Sequence, residues 1–245
     1  MSNSTTYFIA GASRGLGLEL STQLAKTSSN KIYATYRTKS TAQGLFDLAA
    51  AHNNVELLVV DLNSEESIES LKLPDEIDIV IMNAGIADSY YPVLEAKRDS
   101  FLRHFITNAV GPITLFQQVF PHLSPSARAY FISSFGGSIT GDVPLAVSAY
   151  GASKAALNYS VKKLSVEQPN ITFVLVHPGV LRTDMGDYGK KAVAGDNKEL
   201  QAMFDGMSVP AEVSAAGVIE VVDTFNKPSD TGKFVDALTK SELPF

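Results

Sequence analysis

The chain contains no cysteine. Disulfides, zinc–thiolate sites and a thiol nucleophile are excluded together, and cysteine usage gives no hint of secretion. Histidine is scarce too. The four histidines are scattered without ligand spacing, so no metal site is expected, and His177 beside Pro178 reads as structural. Basic residues are outnumbered, 20 Lys and Arg against 26 Asp and Glu, for a net charge of −6. With no long basic run, neither nucleic acid nor an anionic membrane surface is an expected partner. No apolar run approaches the roughly 20 residues of a membrane span. Met1 to Thr6 is short and polar and lacks the layout of a signal peptide. A soluble, cytoplasmic protein is the expectation, and assembly with further copies of itself is left open.

What is present is apolar material in short runs. Hydrophobic residues make up 45% of the 245 positions, enough for one sizeable core. Seven runs read as strands: Tyr7–Ala10, Lys31–Tyr36, Val55–Val60, Ile77–Met82, Ala129–Ile132, Ile171–Val176 and Gly232–Asp236. Helical patterns separate them, at Leu18–Leu24, Thr41–His52, from Asn63, from Glu95 past Gly111-Pro112 to Phe120, after Tyr150, and at Pro210–Phe225. Strands alternate with helices, with no linker, repeat or low-complexity segment. The expected fold is α/β, a single-domain Rossmann-type doubly wound parallel sheet with helices on both faces.

Several motifs sit at the strand ends. Gly11-Ala12-Ser13-Arg14-Gly15-Leu16-Gly17 lies between a strand and a helix, where phosphate can meet backbone N–H groups at a helix N-terminus. Its spacing is G-x-x-x-G-x-G rather than G-x-G-x-x-G. Arg37 ends the second strand, where a cation accommodates the 2′-phosphate of a dinucleotide. With Arg14 in the glycine turn, it favours NADP(H) over NAD(H). Asp61 follows the third strand and is placed either to accept from an adenine amino group or to cap the next helix. Asn83-Ala84-Gly85 follows the fourth strand, where small residues admit a cofactor or another chain segment. Pro112 cannot donate to the carbonyl of Asn108. That leaves either a carbonyl free to hold a water or a lysine, or a plain kink. Ser133-Ser134 ends the fifth strand at the edge facing the usual ligand crevice. The stretch from Asp184 to Met207 reads as irregular, either a lid with an apolar lining or ordinary packing.

Tyr150-Gly151-Ala152-Ser153-Lys154 organises the rest. A tyrosine and a lysine four residues apart share one helix face. An ammonium beside a phenol is expected to lower the phenol's pKa from about 10, so that it exchanges a proton near neutral pH.

Taken in order, these residues resemble the short-chain dehydrogenase/reductase family, nearly end to end. Within it, they resemble carbonyl reductases similar to norsolorinic acid ketoreductase and the C-factor-like proteins. The resemblance implies a catalytic tetrad of Asn108, Ser134, Tyr150 and Lys154. It implies a cofactor site of Gly11, Ser13, Arg14, Gly15, Leu16, Gly17, Arg37, Asp61, Leu62, Asn83, Ala84, Gly85, Tyr150 and Lys154. Pro178, Val180 and Thr183 would complete that site at the nicotinamide. The implied activity is NADPH-dependent reduction of a small, apolar ketone or aldehyde. A cofactor-binding regulator on the same fold and a sugar-nucleotide epimerase are the alternatives. Two positions depart from the pattern. Ala10 stands where the family usually has threonine, so a turn-stabilising hydroxyl is missing. The sixteen positions from Ser134 to Tyr150 exceed the family's usual spacing, leaving Ser133 and Ser138 as competitors for the serine role.

Overall fold

A strand that is apolar on both faces needs cover on both sides, and a parallel sheet provides it by sending each crossover over a face. The computed structural model describes residues 4–143 and 145–245. The chain runs β1 (Thr5–Ala10), α1 (Gly15–Ala25), β2 (Asn30–Tyr36), α2 (Gln43–Ala51), β3 (Val55–Val59), α3 (Glu65–Glu69) and β4 (Ile77–Met82). It continues through α4 (Arg98–Phe105), a π-helical turn (Ile106–Val110), α5 (Gly111–Val119), β5 (Leu123–Ile132), α6 (Ser148–Glu167) and β6 (Thr172–His177). Then come β7 (Val180–Arg182), α7 (Asp184–Ala194), α8 (Lys198–Met207), β8 (Ser208–Pro210), α9 (Ala211–Thr224) and β9 (Lys233–Asp236).

Seven strands form one parallel sheet in the order β3-β2-β1-β4-β5-β6-β9. All seven strands expected from the sequence are in it. Side chains alternate between its faces. Tyr7, Ile9, Ile32, Ile81, Tyr130 and Val176 meet Leu20 and Leu24 of α1, Leu45 of α2 and Val218 and Val221 of α9. Phe8, Val80, Phe131, Phe173 and Phe234 meet Ile68 of α3, Leu115 and Phe116 of α5 and Leu157 and Val161 of α6. The order reverses at β1, whose neighbours are β2 on one side and β4 on the other. The connections leave β1 and β4 in opposite directions there, opening a crevice beyond the strand ends.

Two expectations change. The stretch Asp184–Met207 is not irregular. It is the helix pair α7 and α8, framed by the short parallel pair β7 and β8. Thr183 caps α7 through Gly186 N–H, and Asn197 caps α8 through Glu199 and Leu200 N–H. The two glycines of α7, Gly186 and Gly189, obscure its helical pattern in sequence. The helix before Pro112 is not uniformly α either. It opens into the π turn, where Gly111 N–H reaches Ile106 C=O. Such turns are rare and concentrate at functional sites. No helix is long and apolar enough to cross a membrane among the described residues.

The second face is tied together by Phe116, which is 1% exposed and meets Phe120, Phe131 and Phe173 edge-on. Phe116→Ala should cost about 3–5 kcal/mol of stability, read from urea unfolding; a loss below about 1 kcal/mol would mean the ring is not a core anchor.

Candidate active site

The first loop at the crevice is the glycine turn after β1. Gly11 has φ +76°, a left-handed value open to glycine, and a side chain there would come within 2.7 Å of Ala84. Gly17 is packed against the Gly11 carbonyl so closely that no larger residue fits. The Asn83 side-chain amide donates to Gly11 C=O at 2.8 Å. The turn after β1 and the loop after β4 therefore form one unit. The hydroxyl that Ala10 lacks comes from elsewhere. Thr35 of β2, 1% exposed, accepts from Gly11 N–H at 2.9 Å. Sequence reasoning missed Thr35, which reads as an ordinary β-branched strand residue.

Helix α1 begins here without a side-chain cap and without an acidic residue in its first turn. Helices α3, α7 and α8 each have both. Helices α2, α5 and α6 also start with neither, so what distinguishes the start of α1 is the glycine turn that leads into it. Leu16 is buried in the core, so only its backbone faces the turn. Gly15 touches Thr183, whose methyl group would lie 3.4 Å from an added side chain. Arg14 pairs with Asp184 at the start of α7, at 3.0 Å and well exposed. Arg37 is exposed at the end of β2. Asp61 turns its carboxylate onto Asn63 N–H at 3.0 Å, while Ser64 caps α3. The sequence left Asp61 open as helix cap; that position belongs to Ser64. Leu62 lies against Gly111 at the π turn.

Beyond β5 the chain makes a tight turn over Phe135–Gly137, led by Ser134. Gly137 lies directly against Lys154, and Gly136 C=O against Gly151. The glycines let this turn dock onto the first turns of α6. Gly136 borders both the Ser134 hydroxyl and the Tyr150 ring. The competitors point elsewhere: Ser133 donates to buried Asn158, and Ser138 accepts from Gly141 N–H. His177 Nδ1 accepts from Phe135 N–H at 3.3 Å, steadying the same turn. Burial lowers the pKa of His177, which suits that acceptor role.

Lys154 is 4% exposed, and its ammonium donates to Ile132 C=O at 2.8 Å. It lies 5.9 Å from the Tyr150 ring centre. Asn108, fully buried, holds Ile86 through both its N–H and C=O and also reaches Ser153. Asn108 Oδ1 and Lys154 Nζ both face Gly85. Asn108, Ser134, Tyr150 and Lys154 thus converge at one end of the crevice. Pro178 follows β6, with its carbonyl held by Ser214 at 2.7 Å, and Val180 begins β7.

The pKa expectation needs correcting. Burial raises the Tyr150 phenol, offset in part by its hydrogen bond with Ser134. Burial also pulls Lys154 down to about 8. In the chain itself, desolvation is the larger influence and moves the phenol opposite to the expectation. Tyr150 stays protonated at neutral pH.

A model of the short-chain dehydrogenase family matches residues 5–193. An uncharacterised oxidoreductase of Saccharomyces cerevisiae is 39% identical over 95% of each chain. Norsolorinic acid ketoreductase of Dothistroma septosporum is 30% identical over 100% of this chain and 94% of its own. A carbonyl reductase of Pseudomonas aeruginosa in complex with NADP superimposes with a TM-score of 0.76 at 27% identity, over 98% of this chain and 100% of its own. The chain belongs to the short-chain dehydrogenase family. It is an oxidoreductase.

The buried lysine of this short-chain dehydrogenase has a stability signature. Below about pH 8 it is charged both folded and unfolded, and its desolvation destabilises the fold. Between about 8 and the ordinary value of 10.5 the folded chain gives up the proton first, so this contribution becomes more favourable as pH rises. Lys154→Met removes it, while Tyr150 titrates in both proteins. Relative to the variant, wild type should gain stability between pH 7.5 and 9.5 in urea unfolding. A constant difference would contradict the burial of that charge.

Proposed function

We propose that this dehydrogenase reduces ketones or aldehydes with NADPH, using Tyr150 as general acid. The observation that carries the reading is the meeting of the Ser134 hydroxyl and the Tyr150 phenol at Gly136, with the Lys154 ammonium buried behind them. When bound, NADPH supplies a hydride to the carbonyl carbon. Tyr150, protonated at neutral pH, donates its proton to the carbonyl oxygen. Ser134 already accepts from Gly136 N–H, which leaves its own hydrogen to donate to the same oxygen as charge builds there. Lys154 offsets the charge left on Tyr150 and would hold the nicotinamide ribose. Asn108, through the carbonyl that Pro112 cannot reach, would anchor a water returning protons to Lys154.

The cofactor assignment rests on the glycine cradle at the start of α1, at the crevice. The backbone from Gly11 to Gly17, including Ser13, Gly15 and Leu16, would bind the diphosphate. Arg14, released from Asp184, and Arg37 would take the 2′-phosphate. Asp61 and Leu62 would border the adenine. Asn83, Ala84 and Gly85 would border the adenosine ribose, and Pro178, Val180 and Thr183 the nicotinamide. The NADP complex of the Pseudomonas relative supports the choice of dinucleotide. An apolar substrate is the expectation carried over from the exposed apolar side chains of 184–207. In this reading residues 1–245 are one cytoplasmic catalytic domain with 184–207 as its lid, bearing exposed Met185, Tyr188 and Met203.

Screening NADPH oxidation over aldehydes, ketones, diketones and quinones tests the activity directly. Tyr150→Phe should keep NADPH affinity and lose about 10²–10⁴-fold in turnover; near-wild-type turnover would remove Tyr150 from the acid role. Arg37→Asp should weaken NADPH binding at least about tenfold while sparing NADH, and an unchanged ratio of dissociation constants would refute the phosphate clamp.

A further inference from the structure

His104 is fully buried on α4, and the mechanism above gives it no part. Its ring meets Tyr150 edge-on, with centres 6.4 Å apart and planes at 81°. Nδ1 lies 2.7 Å from Ser100 C=O. A carbonyl only accepts, so Nδ1 carries the hydrogen. Nε2 then presents a lone pair, and Asp88 N–H donates to it at 3.3 Å. The uncharged ring therefore satisfies both nitrogens. The Asp88 carboxylate, 3.5 Å from Nε2, is paired with Arg103 at the surface.

One turn further along, Asn108 grips Ile86 by two hydrogen bonds. His104 and Asn108, four residues apart, thus hold one loop at points two residues apart. That loop runs on to Tyr90, whose hydroxyl lies where a side chain on Gly189 would fall, at 2.6 Å. The Tyr90 ring packs on Tyr188 of α7 at 5.8 Å. One buried imidazole therefore touches the proposed proton donor and also the loop that supports α7. An aliphatic filler could do neither job through hydrogen bonds and ring edges.

We infer that His104 is a positioning residue with two separable tasks: its ring holds the plane of Tyr150, and its Nε2 holds the Ile86–Tyr90 loop bordering the substrate. The kinetic part of this inference rests on the reductase reading. His104→Phe keeps an aromatic edge against Tyr150 and loses the acceptor for Asp88 N–H. His104→Gln keeps an acceptor and loses the ring. His104→Phe should raise the carbonyl substrate's KM about tenfold with kcat within about threefold. His104→Gln should lower kcat about tenfold with KM within about threefold. Parallel changes in the two variants, or no change, overturn the assignment.

A second arm is independent of turnover. Nitrogen-15 spectra of the wild-type imidazole at about pH 8 should show hydrogen on Nδ1 and none on Nε2. Hydrogen exchange at Asp88 N–H should be at least about tenfold slower in wild type than in His104→Phe. Hydrogen on Nε2, or equal exchange, overturns the inference even if neither variant is stable enough for kinetics. A wild-type protein that binds NADPH by fluorescence yet reduces no carbonyl would sink the reductase reading alone. The spectra would then decide the role of His104.

Discussion

An ammonium group withdrawn from water is the constraint around which this molecule is arranged. Lys154 gives up hydration and recovers one short bond to Ile132 C=O, at the end of a central strand. Such a group is tolerated only where the surrounding backbone is held firmly. The packing provides this from three sides. The Ser134–Gly137 turn docks on α6 through its glycines, Gly85 brings the loop after β4 alongside, and Asn108 ties that loop to the π turn. Each of these elements also carries a polar group to the same end of the crevice.

The sheet explains why they meet. Parallel strands all end on one edge, and the reversal of order at β1 opens a gap between the loops after β1 and β4. The glycine turn occupies that gap in a conformation that requires glycine at Gly11 and contact with Ala84. Local and long-range demands agree there. The turn cannot close without β4 in register, and the loop after β4 is anchored by the turn through Asn83.

Environment, more than residue type, sets the chemistry of Tyr150. A lysine four residues away suggests an acidified phenol, but burial dominates and keeps the proton on. In the proposed reduction, where Tyr150 would donate to a carbonyl oxygen, a protonated resting state is the useful one. Burial of Lys154 lowers its own pKa to about 8 while burial raises the phenol, so the two proton affinities move apart from their ordinary values.

The seven strands, their parallel sheet and the motifs at the strand ends were legible in the sequence because they rest on local signals. These are short apolar runs, a glycine turn between strand and helix, and two residues spaced on one helix face. The helices of 184–207 were hidden because glycines in α7 weaken its pattern and its stability comes from caps and packing. Thr35 and His104 were invisible for a different reason. Each acts on a partner distant in sequence, Gly11 from the next strand and Asp88 from a preceding loop, and neither belongs to a motif. Ser134 was favoured over its neighbours by the Ser-Ser-x-x-Gly pattern, and the fold adds that its hydroxyl lies beside Gly136 and the Tyr150 ring. Sequence by itself determined which groups are present and on which elements they ride, since period and turn chemistry are local. Only the folded chain decided which of them share a dehydrated volume, because burial and close approach belong to pairs of segments and to no single one.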